Sequence, residues 1–178
     1  MRMKKYQIIE TTENLNHAGS KATKDIAEIA QSLGYQGLNV RMRTTSTSKL
    51  AKIQRQAGYL KDWKYCEREI EAGSVILLQH PFHYPQMTRE HVLGKLKEEK
   101  HVRFICLVHD VEQLRGFRYN DYYKQESNFT VGIADVLIVH NTHMKDFFLG
   151  WGVAEEKRVD LEIFDYLQDN GHIVLNGD

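Results

Sequence analysis

The chain has 178 residues, 24 of them basic and 24 acidic, so its formal net charge is zero. That length suits one domain with a sizeable core, and 42% apolar with 27% charged residues excludes wholesale disorder. A neutral chain lacks the concentrated Lys and Arg on which nucleic-acid or anionic-membrane binding depends, and no apolar run approaches the roughly 20 residues that span a bilayer.

Cys66 and Cys106 are too few for a disulfide framework and suit a reducing compartment. The basic start, Met1-Arg-Met-Lys-Lys-Tyr6, precedes an apolar stretch too short for a signal-peptide core. A cytoplasmic location is the expectation.

Tyr6–Glu10 reads as a first strand. A helix over Ser20–Leu33 follows, with Ala22, Ile26, Ile29, Ala30 and Leu33 on one stripe and Gly34 placed to stop it. Gly37–Arg41 is a second strand, and Ser48–Ile70 a long helix that Gly58 is expected to interrupt. Ser74–Gln79 is a third strand, with a continuously apolar run at Val75–Leu78, as parallel strands covered on both faces require. Thr88 looks like the N-cap of the next helix. Arg103–Val108 and Asp135–Val139 are the fourth and fifth strands, and a helix over Thr142–Phe148 ends at Gly150 and Gly152. Val159–Ile163 and His172–Leu175 are further short candidates, before a closing turn at Asn176-Gly-Asp178.

Alternating strands and helices without a Gly/Ser/Pro-rich linker predict βαβ units. The fold class is therefore α/β: a doubly wound, mostly parallel sheet of about six strands, Rossmann-like. Residues 1–165 form the domain, and residues 166–178 are expected to be a linker or the start of a further domain.

Open parallel sheets bind ligands beyond the carboxyl ends of their strands. His80, His109 and His140 fall at such ends, and His17 lies in the loop after the first strand. They occupy separate loops without metal-ligand spacing, so no metal site is expected. Gly19-Ser20-Lys21 departs from a Walker loop, and no GxGxxG follows the first strand. What remains is a helix N-terminus with a Ser20 cap and an adjacent Lys21, able to hold a phosphate or a sugar hydroxyl or to serve as an ordinary cap. Asp110 beside His109 suits proton transfer, and equally suits capping the turn that begins at Val111. Phe82, Tyr84, Phe117, Tyr119, Tyr122 and Tyr123 are expected in loops near this edge, where aromatic faces stack on sugar rings or simply pack.

Several strings together resemble a known family. They are Tyr6-Gln-Ile-Ile-Glu10, Asn16-His-Ala-Gly-Ser-Lys-Ala22 with Asp25-Ile26, Gln79-His-Pro81, His109-Asp-Val-Glu-Gln-Leu-Arg115, Asp135-Val-Leu-Ile-Val-His-Asn141 and Leu161-Glu-Ile-Phe-Asp-Tyr166. The sequence is similar to the N-terminal domain of bacterial GT-B glycosyltransferases, in the group of the adhesin glucosyltransferase and the β-1,6-galactofuranosyltransferases. The resemblance implies two Rossmann-like domains facing a cleft: the N-terminal one holds a glycan or glycoprotein acceptor, and the C-terminal one a nucleotide-sugar donor, typically UDP-linked. It implies no cofactor and no metal.

Carried onto this chain, Asn16, Gly19, Ser20 and Lys21 would face the acceptor or the diphosphate, with His80 and Asn141 also at the substrate edge. Asp110, His109 and His17 compete as catalytic base. The chain is then an acceptor-side half, expected to be inactive without a donor-binding domain. Oligomeric state is left open. The alternatives are a stand-alone, non-catalytic sugar- or phosphate-binding module or subunit, and a phosphoacceptor regulatory domain. The last is disfavoured because the third strand ends in Gln79-His80 rather than an aspartate.

Overall fold

The apolar runs become the strands of one parallel sheet in the computed structural model, which describes residues 3–11, 18–41, 43, 46–82, 86, 88–115 and 121–161. In chain order the elements are β1 (Lys5–Thr11), α1 (Ala18–Ser32), β2 (Gln36–Arg41), α2 (Lys49–Glu69), β3 (Val75–His80), α3 (Arg89–Lys100), β4 (Arg103–Val108), α4 (Asp121–Ile133), β5 (Val136–Val139), α5 (Thr142–Gly150) and β6 (Arg158–Asp160). Short 3-10 turns lie at Glu112–Arg115 and Glu155–Lys157.

The six strands run in the order β2-β1-β3-β4-β5-β6, and every pairing is parallel. The chain moves from β1 outward to β2, then crosses back over β1 to β3 and continues in the opposite direction. Right-handed crossovers therefore put α1 on one face of the sheet and α2, α3, α4 and α5 on the other. The core divides accordingly. Ile26 and Ala30 of α1 pack on Leu77 and Leu107. Tyr59, Trp63, Leu93, Leu96 and Phe148 pack on the alternate strand residues Ile76, Leu78, Phe104, Cys106 and Val139. Fully burying each such side chain contributes roughly 1.5–3 kcal/mol.

Helix α1 ends as its sequence indicates. Gly34 takes φ 83°, its N–H donates to Gln31 O at 2.9 Å, and Tyr35 N–H donates to Ala30 O at 3.0 Å. This paired closure uses the left-handed conformation that glycine adopts without a Cβ penalty.

Other expectations need correction. Helix α1 starts at Ala18, so Ser20 lies in its first turn and not at the cap. Thr88 has a helical backbone and makes no side-chain capping bond; its hydroxyl is buried without a hydrogen-bond partner among the described residues. Tyr122 and Tyr123 lie on α4, not in a loop. The sixth strand is Arg158–Asp160, and the segments His172–Leu175 and 166–178 lie outside the described residues, as do Tyr84, Phe117 and Tyr119.

Gly58 does not interrupt α2, which runs unbroken behind a Ser48 cap. The glycine instead makes room for Arg43, whose Nη2 donates to Gly58 O at 3.1 Å and to Asp62 Oδ2 at 2.7 Å. A Cβ on residue 58 would lie 2.2 Å from Arg43 Nε. Helix propensity alone would favour Gly58→Ala by about 1 kcal/mol. We expect that gain only in an Arg43→Ala background; in the wild type the substitution displaces Arg43 and gains nothing. Urea unfolding of the four proteins in this cycle checks it, and additivity of the two changes would overturn the packing account.

Candidate functional site at the carboxyl edge of the sheet

The sheet reverses its winding between β1 and β3, the position at which open parallel sheets place their binding crevice. Side chains alternate along a strand, so neighbouring residues at this edge belong to different faces. Gln79, His109 and His140 lie on the α1 side, in line with Leu77, Leu107 and Ile138. His80 lies on the other side, among the four-helix layer.

His80 is 3% exposed, and its Nδ1 is 3.0 Å from Thr130 Oγ1 on α4. Burial, reinforced by the charge of Arg89 and by His109, pushes its pKa down to about 3, so the ring is neutral. Its backbone carbonyl accepts from His109 N–H at 2.8 Å, which ties the ends of β3 and β4 together.

His109 is half-buried, with Nε2 2.6 Å from Gln79 Oε1. The His140 ring lies 5.8 Å away, tilted by 36°. Burial lowers the pKa of His140, opposed by the charge of Asp160. Asp110 is half-buried beside His109, and its Oδ1 accepts from Val111 N–H at 2.8 Å. Asn141 caps α5, its Oδ1 accepting from Met144 N–H at 2.9 Å. Lys21 pairs at 3.3 Å with Asp25, one turn along α1. Gly19 and Ser20 belong to the first turn of that helix, where backbone N–H groups lack intrahelical partners. Asn16 and His17 lie outside the described residues.

The edge is therefore assembled from four chain segments. His109 and His140 come together over the α1 side, Asp110 and Asn141 sit one residue further along their loops, and His80 is enclosed behind them. Among the described residues no three His, Cys, Asp or Glu side chains converge as a metal would require. Cys66 and Cys106 are buried thiols, each with its pKa pushed up to about 12 by burial, which removes them as nucleophiles at neutral pH.

Behind the crevice runs a buried polar chain that the sequence did not single out. Trp63 Nε1 donates to Gln86 Oε1 at 2.5 Å, and Gln86 Nε2 donates to Glu10 Oε1 at 3.1 Å. Arg89, 1% exposed, lies 4.0 Å from the same carboxylate oxygen and stacks 3.9 Å from the centre of the Phe82 ring. Phe82 N–H donates to Glu126 Oε1 at 2.7 Å. These contacts fasten the end of β1 to α2, to the start of α3 and to α4, and so hold the walls of the crevice.

Residues 5–163 match the family described as glucosyltransferase 3-like, N-terminal domain. The chain belongs to this family. No curated protein matches the sequence. The family match spans every strand of the sheet and the entire carboxyl edge, so the residues above are those of a glucosyltransferase 3-like N-terminal domain. The resemblance read from the motifs stands at this level. No helix among the described residues is long and apolar enough to cross a membrane.

Proposed function

We propose that this glucosyltransferase-like domain holds the sugar acceptor in a GT-B glycosyltransferase, which transfers a sugar from a UDP-linked donor to a glycan or glycoprotein precursor in the bacterial cytoplasm. The observation that carries the reading is the position of His109 and Asp110: adjacent residues at the end of β4, beside the β1/β3 reversal, in a domain of glucosyltransferase-like family. A base there takes the proton of the acceptor hydroxyl. The oxygen attacks the anomeric carbon and the nucleoside diphosphate departs. Helix N-termini and basic side chains stabilise the leaving diphosphate, and no metal ion is required. A second, donor-binding domain completes the cleft.

Removing a positioned general base lowers transfer by about 10²- to 10⁴-fold. Asp110→Asn, His109→Asn and His17→Asn, each in the full-length protein, should separate the three candidates, one variant showing that loss with its fold unchanged by circular dichroism. Near-wild-type transfer by all three would reject this edge as the acceptor site.

A further inference from the structure

One glutamine at the carboxyl edge has both ends of its amide engaged. Gln79 Nε2 donates to Thr23 O on α1 at 3.2 Å, and Gln79 Oε1 lies 2.6 Å from His109 Nε2. The two contacts are not interchangeable. A main-chain carbonyl only accepts, so the amide must turn its NH₂ toward Thr23; the reversed orientation would set two carbonyl oxygens against each other. The oxygen is then what His109 meets, and a carbonyl oxygen 2.6 Å away requires a proton on Nε2. A neutral imidazole carries one ring proton. With that proton on Nε2, the lone pair is on Nδ1.

We propose that Gln79 is a positioning residue that fixes His109 in the Nε2–H form, so that Nδ1 is the nitrogen that takes a proton during transfer. Helix α1 sets the device: its Thr23 carbonyl orients the amide, and the amide selects the tautomer. The same α1 face is gripped a turn later by Gln7, whose Nε2 donates to Ala27 O at 2.9 Å, so the helix is seated against both β1 and β3. The Gln79 amide meets the His109 ring on one side, and the His140 ring lies 5.8 Å from it.

The catalytic part of this inference rests on the acceptor-side reading above. There the acceptor O–H proton passes to His109 Nδ1 and the imidazole becomes an imidazolium. The freed oxygen bonds the anomeric carbon as the carbon–oxygen bond to the diphosphate breaks. The carbonyl dipole of Gln79 then faces a cationic ring, an arrangement that favours the protonated form in the transition state. The lock itself is a property of the resting protein and can be read without any substrate.

The test is long-range ¹H–¹⁵N correlation spectroscopy of histidine-labelled full-length protein, at a pH where His109 is neutral. The wild type should show the Nε2–H pattern. Gln79→Met, similar in shape but without the acceptor, should raise the Nδ1–H fraction by roughly three- to tenfold, the worth of one net hydrogen bond. Gln79→Leu also lacks the acceptor and should shift the ratio in the same direction, which covers the case in which the methionine variant does not fold. An Nδ1–H wild type, or an unchanged ratio in whichever of the two variants folds, would overturn the lock. If the tautomer shifts in Gln79→Met and transfer falls with it, at unchanged KM, the whole inference is supported. If the tautomer shifts while kcat stays at the wild-type level, the lock stands and His109 is overturned as the base.

Discussion

Glu10→Leu should destabilise the protein by about 3 kcal/mol, the usual scale for removing one partner of a buried ion pair. Glu10 is at the carboxyl end of β1, and its side chain is 9% exposed. The substitution takes away the carboxylate that Arg89 faces at 4.0 Å and the acceptor that Gln86 Nε2 uses at 3.1 Å. Arg89 is itself 1% exposed, so water cannot replace the lost charge without opening the core. Glu10→Gln separates the two losses, because its amide oxygen still accepts from Gln86 while the negative charge is gone; it should cost less than Glu10→Leu. Adding Arg89→Met to Glu10→Leu removes the buried cation as well and leaves an unbranched chain to lie on the Phe82 ring. That double variant should recover part of the loss, since replacing both members of a buried pair by apolar groups is often neutral. Guanidinium unfolding measures the wild type, Glu10→Leu, Glu10→Gln, Arg89→Met and the double variant, and simple additivity of Glu10→Leu and Arg89→Met would show that the two side chains are not coupled. The consequence for the site is direct. This chain of contacts holds β1 against the β3–α3 connection, so Glu10→Leu should also loosen the crevice wall.

How much of this was readable in the sequence depends on which forces left a pattern. The parallel strands did, because burial on both faces makes Val75–Leu78 and Phe104–Val108 nearly continuous apolar runs. The end of α1 did as well, since its closure needs a glycine. Helix α4 left no such mark. Among its buried side chains are Glu126, Ser127 and Thr130, which face partners in the core rather than solvent. A helix whose buried face includes polar residues has little hydrophobic period to detect. Gly58 misled for a related reason: its role is space for Arg43, a residue fifteen positions away and on another segment.

The histidines at the strand ends were placed correctly along the chain, but their faces were not resolved. Alternation separates Gln79 from His80, yet which of them meets His109 depends on how β3 and β4 are registered. With Gln79 beside Leu107 and His80 beside Val108, the amide reaches forward to His109 while His80 turns to Thr130. Register is a property of two strands and the layers packed on them, and neither strand's own sequence states it. The polar chain from Trp63 through Gln86 to Glu10 was hidden for the same reason, because its members come from three separate elements.

Acid should unfold this protein in a way that one histidine dominates. In the unfolded chain His80 binds a proton near its ordinary pKa of about 6.5. In the folded protein it does so only at about 3, because burial disfavours the imidazolium and Arg89 adds a repulsive charge. Between those values the unfolded state holds one more proton, so stability falls as pH falls, by about 1.4 kcal/mol per pH unit. The contribution is fully present above about pH 6.5, and roughly 3 kcal/mol of it is lost by about pH 4. His140, also held below its ordinary value, acts in the same direction, whereas the lowered pKa of Glu67 adds a loss only in the carboxylate range. The His80 share is isolated by His80→Gln, whose amide can still hydrogen-bond Thr130 but does not titrate. The variant should be less stable than the wild type at pH 8 and should lose that disadvantage on acidification, the gap changing by about 3 kcal/mol between about pH 8 and pH 4. Parallel stability curves for the two proteins over that range would mean that His80 reaches water in the folded state. The enclosed position behind the His109–His140 pair would then have to be abandoned.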